Sequence, residues 1–163
     1  MRFSVGETSA LIFLHQIGSM LNQNPNLAEF SSTLILDRPL GTTILVVEDE
    51  AFVRDAACDV LEHEGYRVLR ARSASEAHEV VRTFKGTIQL LLSDIVLPGT
   101  NGLALAKALR ADCPGLKAIL VSGYPREEML RFGLSDCPES YFPKPFSSEA
   151  LIRKVKLILE SDD

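Results

Sequence analysis

From Thr42 onward, short apolar runs alternate with longer amphipathic segments. Each run holds a few aliphatic or aromatic residues between polar turns, which is too short for a helix and typical of strands covered on both faces. The clearest example is Thr43-Ile44-Leu45-Val46-Val47. The predicted strands cover residues 43–47, 66–71, 88–93, 117–122 and 140–142.

The segments between these runs repeat their apolar residues with helical spacing. They predict helices over residues 51–64, 73–84, 102–112, 125–132 and 147–160. In the first helix the predicted apolar stripe is Val53, Ala56, Ala57, Val60 and Leu61. Gly65 is expected to end that helix, and Ser73 with Glu76 forms a capping-box pattern for the next. Ser147 or Ser148 is expected to cap the last helix.

Strict alternation of strands and helices predicts an α/β protein with a five-stranded parallel sheet and helices on both faces. The order favours a doubly wound, flavodoxin-like arrangement over a barrel, which needs about eight units. Residues 42–163 are expected to form this one domain, and residues 1–41 an N-terminal extension. We expect no output domain after the last helix.

Composition agrees with a single globular domain, because 163 residues with 46% hydrophobic and 24% charged side chains are ordinary values. The formal net charge of -5, without a basic cluster, argues against nucleic-acid binding. Three separated cysteines, Cys58, Cys113 and Cys137, fit a reducing compartment and argue against a zinc site. No apolar stretch is long enough to span a membrane, so a cytoplasmic location is expected.

Polar residues follow four of the five predicted strands. Glu48 and Asp49 come after the first, Asp94 after the third, Ser122 ends the fourth, and Lys144 follows the fifth. Because ligands of open parallel sheets bind outside the carboxyl ends of the strands, these side chains are expected to meet in one crevice.

The types of these side chains indicate phosphoryl transfer. Clustered carboxylates recruit a cation, and oxygen ligands without histidine or cysteine favour Mg²⁺ or Mn²⁺. A lysine is a point charge for phosphate, and a serine hydroxyl can donate to a phosphoryl oxygen. An aspartate facing such a donor is a candidate nucleophile that would form an aspartyl phosphate.

Four motifs in this order resemble the receiver domain of two-component response regulators, the CheY-like superfamily. The motifs are Leu45–Glu50 (LVVEDE), Ser93–Gly102 (SDIVLPGTNG), Leu120–Tyr124 (LVSGY) and Tyr141–Phe146 (YFPKPF). Each stands at the end of a predicted strand, and the resemblance covers about three quarters of the chain.

The resemblance implies a role for each matching residue. Asp94 corresponds to the phosphoacceptor. Glu48 and Asp49 correspond to the acidic pair that holds Mg²⁺, with Asp49 the direct ligand and Glu48 acting through water. The main-chain carbonyl of Val96 corresponds to a further ligand.

The remaining matches concern the response to the phosphoryl group. Ser122 corresponds to the hydroxyl that moves toward it, Lys144 to the lysine that pairs with it, and Tyr141 to the aromatic switch that turns inward. The bond between Lys144 and Pro145 is expected to be cis.

The implied function is a signalling receiver rather than an enzyme. A histidine kinase or histidine phosphotransfer protein would donate the phosphoryl group to Asp94, and a downstream protein partner would read the result. A phosphatase is disfavoured because Val96 stands where such enzymes need a second acid. A binding module that works without phosphorylation and a receiver of a hybrid histidine kinase remain alternatives. Val96 and Tyr124 are expected to shield the aspartyl phosphate from water.

The first 41 residues are less informative. Leu14, Ile17 and Leu21 could form one apolar helical face. Three interpretations stay open: an extension with little order, a helix for dimerisation or kinase docking, and a remnant of a longer sensor protein. His15 lacks the polar context of a phosphotransfer histidine.

Overall fold

The computed structural model describes residues 41–125, 128 and 141–161, and the chain forms regular elements through most of this part. The strands are β1 (Thr43–Val47), β2 (Arg67–Ala71), β3 (Leu90–Asp94), β4 (Val96–Leu97), β5 (Thr100–Asn101), β6 (Lys117–Ser122) and β7 (Tyr141–Pro143). The helices are α1 (Ala51–His63), α2 (Ala74–Thr83), α3 (Gly102–Asp112) and α4 (Ser148–Glu160).

Five strands form one parallel sheet in the order β2-β1-β3-β6-β7. Alternate residues of β1 enter two separate cores, because successive side chains of a strand point to opposite faces. Ile44 and Val46 pack with Leu61 of α1 and Leu151 of α4. Leu45 and Val47 pack into the second core with side chains of α2 and α3. The predicted doubly wound α/β fold is therefore confirmed.

Serine caps begin two of the helices where the sequence predicted them. The Ser73 side chain accepts a hydrogen bond from the Glu76 amide at 3.2 Å. The Glu76 side chain accepts a hydrogen bond from the amide of Arg72 at 2.9 Å. In a standard capping box it would accept from the amide of the cap residue, Ser73, so the box is displaced by one residue. Of the two candidate caps for α4, Ser147 is the one used, and it accepts from the Ala150 amide.

The apolar face of α1 differs from the predicted stripe. Its buried residues are Ala57, Cys58 and Leu61, whereas Ala56 is exposed. Cys58 packs as a small apolar residue in the first core. Burial raises the pKa of its thiol to about 11. The predicted stripe thus included the exposed Ala56 and omitted the buried Cys58.

The strands β2 and β3 begin later than predicted, at Arg67 and at Leu90, although Tyr66 and Ile88 are both buried. A side chain can be buried although its backbone does not yet pair with a neighbouring strand. The apolar pattern therefore placed the start of both strands too early. The predicted helix over residues 125–132 and Cys137 lie outside the described residues, apart from Pro125 and Glu128, as do residues 1–40 of the N-terminal extension. In the part that the structure describes, no helix is long and apolar enough to cross a membrane.

A small antiparallel hairpin, formed by β4 and β5, was not predicted. Pro98 and Gly99 make its turn, and Gly99 has a φ of +78°, a conformation open to glycine. Asn101 then caps α3 by accepting from the Ala104 amide at 2.8 Å. The hairpin thus connects the end of β3, at Asp94, to the first turn of α3.

Gly102, the first residue of α3, lies against the end of β3. A Cβ atom at this position would lie 2.3 Å from the main-chain oxygen of Asp94 and 3.0 Å from Oγ of Ser93. We expect Gly102→Ala to lower the free energy of unfolding by about 1–3 kcal/mol, because backbone must shift to admit the methyl group. Urea denaturation measures this change.

Gly123→Ala is the matched control, since a Cβ there meets nothing within 4 Å. Its expected effect is within about 0.5 kcal/mol. Equal stability of Gly102→Ala and the wild type would show that the contact between α3 and β3 is looser than described.

Candidate functional site

Lys144 lies between the side chains of Glu48 and Asp94 at the carboxyl edge of the sheet. Its Nζ donates to Oε2 of Glu48 at 2.7 Å and to Oδ2 of Asp94 at 2.6 Å. The side chains of Lys144, Glu48 and Asp94 are only 23%, 9% and 13% exposed, respectively. Residues distant in the sequence therefore form one partly buried charged cluster, as the strand-end argument predicted.

Backbone contacts hold each member of this cluster in place. The Glu48 amide donates to the carbonyl of Ala71 at the end of β2. The Lys144 amide donates to the carbonyl of Ser122 at 2.7 Å, which ties the segment after β7 to the end of β6. The bond between Lys144 and Pro145 is cis, as expected.

The charges in the cluster are unequal, because two carboxylates share one ammonium group. Burial raises the pKa of Glu48 above its ordinary value, and the negative charge of Asp94 adds to this effect. The hydrogen bond and charge of Lys144 oppose the rise without cancelling it. Burial lowers the pKa of Lys144, but its hydrogen bonds to Asp94 and Glu48 outweigh burial, so that pKa is raised.

The residues predicted to hold Mg²⁺ are only partly gathered. Asp49 follows Glu48 on an exposed turn, and Val96 donates its amide to Oδ1 of Asp94 at 2.8 Å. Among residues 41–125, 128 and 141–161, no three histidine, cysteine, aspartate or glutamate side chains stand close enough to hold a metal ion.

The donor chemistry nevertheless fits a hard cation. The candidate ligands are all oxygens, from Asp49, Asp94 and the carbonyl of Val96, with Glu48 beside them. Mg²⁺ is commonly bound by one or two carboxylates and keeps several waters, so it does not need a cage of three acidic side chains. Two carboxylates around one ammonium group also leave an unbalanced negative charge at the site.

Ser122 and Tyr141 both contact the backbone of Tyr124. Oγ of Ser122 accepts from the Tyr124 amide at 3.0 Å, and the Tyr141 hydroxyl donates to the Tyr124 carbonyl at 2.5 Å. Ser122 is buried, while the half-buried ring of Tyr141 packs against Ile95 and Leu120. The two predicted switch residues are thus joined through one residue, which the sequence did not indicate.

Arg54 was missed by the sequence analysis. Its guanidinium donates to the main-chain carbonyl of Glu48 at 2.8 Å. The available signal was a basic residue one turn into the helix that follows an acidic loop, and such a pattern is common on solvated helices.

The pKa of Glu48 yields a stability prediction for the metal-free protein. Because this pKa is raised in the folded state, folded protein binds the proton more tightly, and ionisation of Glu48 lowers stability as pH rises. We expect Glu48→Gln to be more stable than the wild type near neutral pH. The advantage should shrink as pH falls to about 5. Urea denaturation in EDTA at several pH values measures it.

Glu50→Gln is the control, since it removes an exposed carboxylate from the same turn. A pH-independent effect of Glu48→Gln, or one equal to that of Glu50→Gln, would contradict the assignment of the cost to buried charge.

Comparison with known proteins identifies the family. The profile described as the response regulator receiver domain matches residues 44–156. The sensor kinase CckA of Brucella abortus is 38% identical over 123 residues, which are 76% of this chain and 13% of that protein. The phosphate regulon regulatory protein PhoB of Pseudomonas aeruginosa is 35% identical over 122 residues, 74% of this chain and 52% of that protein. The chain thus spans about half of the second relative and a small part of the first.

Solved structures agree with the sequence relatives. A CheY-like receiver domain protein from Methanospirillum hungatei has a TM-score of 0.63 and 33% identity, over 73% of this chain and 94% of that one. The receiver domain of the hybrid histidine kinase CckA has a TM-score of 0.60 and 33% identity, over 72% and 99% of the two chains. Together with the sheet order and the Glu48–Lys144–Asp94 cluster, these matches show that the chain belongs to the response regulator receiver domain family.

Proposed function

We propose that the protein receives a phosphoryl group on Asp94 from a phosphohistidine of a histidine kinase or histidine phosphotransfer protein. The observation that carries the proposal is the 2.6 Å contact between Oδ2 of Asp94 and Nζ of Lys144 at the carboxyl edge of the sheet. It supplies a nucleophile and a positive charge beside it. The family and its kinase relatives support this role, and the cytoplasm is the proposed location.

The transfer is a displacement at phosphorus. A carboxylate oxygen of Asp94 forms the new O–P bond while the N–P bond of the phosphohistidine breaks, and the departing imidazole nitrogen keeps the electron pair and takes up a proton. Lys144 would neutralise charge on the phosphoryl oxygens as the bond forms. The Val96 amide already donates to Oδ1 of Asp94, which orients the carboxylate.

A divalent cation completes this account. Asp49, Asp94 and the carbonyl of Val96 would hold Mg²⁺ or Mn²⁺, with Glu48 contributing through water. The cation would supply charge neutralisation on the phosphoryl oxygens. Glu48 can take part because it already lies at the site and is held by its neighbours.

The signal would leave through the surface around Tyr124 and Tyr141. Movement of Ser122 toward the phosphoryl group breaks its hydrogen bond with the Tyr124 amide. Because the Tyr141 hydroxyl holds the carbonyl of the same residue, that movement changes the position of Tyr141. A downstream protein partner that contacts this surface would distinguish the two states.

A receiver that belongs to a hybrid histidine kinase is a second candidate. The relative identified as sensor kinase CckA and the receiver structure of a hybrid kinase both favour it. The chemistry at Asp94 is the same in both candidates, and only the covalent link to the donor differs.

Intact-mass spectrometry tests phosphorylation directly. After incubation with acetyl phosphate and Mg²⁺, we expect one added phosphoryl group on the wild type. Asp94→Ala should gain none, because the nucleophilic oxygen is gone, and EDTA should suppress the adduct on the wild type. Asp112→Ala, which removes an exposed carboxylate at the end of α3, is the control and should be modified normally. An adduct that persists in Asp94→Ala would exclude Asp94 as the acceptor.

Lys144→Gln should slow this reaction strongly while leaving Asp94 available. The substitution removes the ammonium group but keeps a side chain that can donate a hydrogen bond. We expect a loss of roughly 100-fold in rate, a typical cost of removing a group that stabilises developing charge. Rates from a time course of intact mass give the value. A rate within twofold of the wild type would show that Lys144 has only a structural role.

The persistence of the phosphoryl group depends on access of water. Val96 and Tyr124 flank the site with half-exposed hydrophobic side chains. We expect Tyr124→Ala to lose the phosphoryl group several-fold faster than the wild type after the donor is removed. Leu157→Ala, which truncates an exposed leucine on α4, is the control. Equal decay of Tyr124→Ala and wild type would contradict the shielding role.

A further inference from the structure

Arg54 of α1 is unusually buried for an arginine. Its side chain is 16% exposed. Oδ1 of the acidic neighbour Asp55 lies 3.9 Å from Nε of Arg54, and the Asp55 side chain is itself 61% exposed. A contact of this length at the surface contributes little. The hydrogen bond from Arg54 to the carbonyl of Glu48, at 2.8 Å, is therefore the interaction that accounts for the placement of the guanidinium.

The carbonyl of Glu48 needs a donor because the chain leaves the sheet at this point. The ladder between β1 and β2, on the side that the Glu48 backbone faces, ends with the pair Val47 and Ala71. Beyond this pair β2 has ended, and the chain turns toward α2, which begins at Ala74. Since an unpaired carbonyl away from water is costly, Arg54 replaces the ladder at the end of β1.

The turn that carries Glu48 and Asp49 is thus held at several points. The Glu48 amide is fixed by the carbonyl of Ala71, and its carbonyl is fixed by Arg54. The Arg54 amide also donates to the carbonyl of Glu50 at 3.0 Å. One residue therefore ties both ends of the acidic turn to α1, with its side chain at one end and its main chain at the other.

We propose that Arg54 is a positioning residue for the divalent cation: it fixes the turn so that the carboxylates of Glu48 and Asp49 are presented together at the site. It acts through the Glu48 backbone and does not touch the cation or the phosphoryl group. The inference rests on the proposed function. Groups that orient metal ligands commonly change metal affinity by about 10- to 100-fold when they are removed.

The test compares Mg²⁺ binding by the wild type, Arg54→Met and Arg54→Lys, using the full chain. The midpoint is read from amide NMR shifts of Asp49 and Asp94 during a titration with MgCl₂, which needs no phosphoryl donor. We expect Arg54→Met to bind Mg²⁺ about tenfold more weakly. Arg54→Lys should fall between it and the wild type, because an ammonium group still donates to the carbonyl but with less defined geometry.

Arg70→Met is the matched control. Arg70 also links α1 to its neighbour, through a 2.8 Å contact with Glu62, but lies on β2 and does not touch Glu48. We expect its Mg²⁺ midpoint to equal that of the wild type. The acetyl phosphate reaction adds a second readout: Arg54→Met should need more Mg²⁺ for half-maximal rate, with a rate at saturating Mg²⁺ close to that of the wild type.

An Arg54→Met variant with the wild-type Mg²⁺ midpoint, or one shifted no more than Arg70→Met, would overturn the inference. If Arg54→Met does not fold, Arg54→Lys decides: a weaker midpoint supports the inference, and the wild-type midpoint overturns it. Failure of the proposed function is distinguishable, because the wild type would then itself bind no Mg²⁺ at the site and accept no phosphoryl group.

Discussion

The contact of one ammonium group with two carboxylates governs the arrangement of this domain's functional edge. Lys144 reaches Glu48 and Asp94 at hydrogen-bond distance, and all three side chains are largely withdrawn from water. Such a cluster is stable only when its geometry offsets the loss of hydration. Here it also leaves an excess negative charge, so it is balanced most closely when a cation joins it. The raised pKa of Glu48 follows first from burial, and the negative charge of Asp94 adds to it.

The sheet supplies the geometry that this cluster requires. Glu48 and Asp94 lie at the ends of the neighbouring strands β1 and β3. Lys144 follows the edge strand β7, and its amide donates to the carbonyl of Ser122 at the end of β6. Two hydrophobic cores hold the sheet between its helices, so the strand ends are fixed in relation to one another. Two further residues support the site. Gly102 has no side chain and so lets α3 approach the backbone of Asp94, and Arg54 donates to the carbonyl of Glu48 after the end of β1.

The sequence was sufficient to predict those features of the fold and the site that depend on one dominant physical signal. Fully buried strands produce unbroken apolar runs, which is why β1 and β6 were predicted with their observed bounds. The residues at the strand ends followed from the chemistry of parallel sheets and from the motifs, and Glu48, Asp94 and Lys144 do meet. Cis geometry at Lys144–Pro145 also followed from the resemblance and is observed. Features that depend on three-dimensional packing escaped prediction: the hairpin before α3 and the Arg54 contact both join groups whose pairing no local pattern indicates. The roles of Asp49 and Val96 as metal ligands stay predictions.

The central claim is that Asp94 carries the phosphoryl group, and reduction of the phosphorylated protein tests it most directly. Borohydride converts an aspartyl phosphate to homoserine, and tandem mass spectrometry of tryptic peptides locates that residue. Asp94 is the only acidic residue between Lys85 and Lys107, so the peptide between these lysines gives an unambiguous answer. We expect homoserine at position 94 and at no other position. Homoserine at another aspartate, or a phosphoryl group that resists reduction and stays on a different residue, would contradict it.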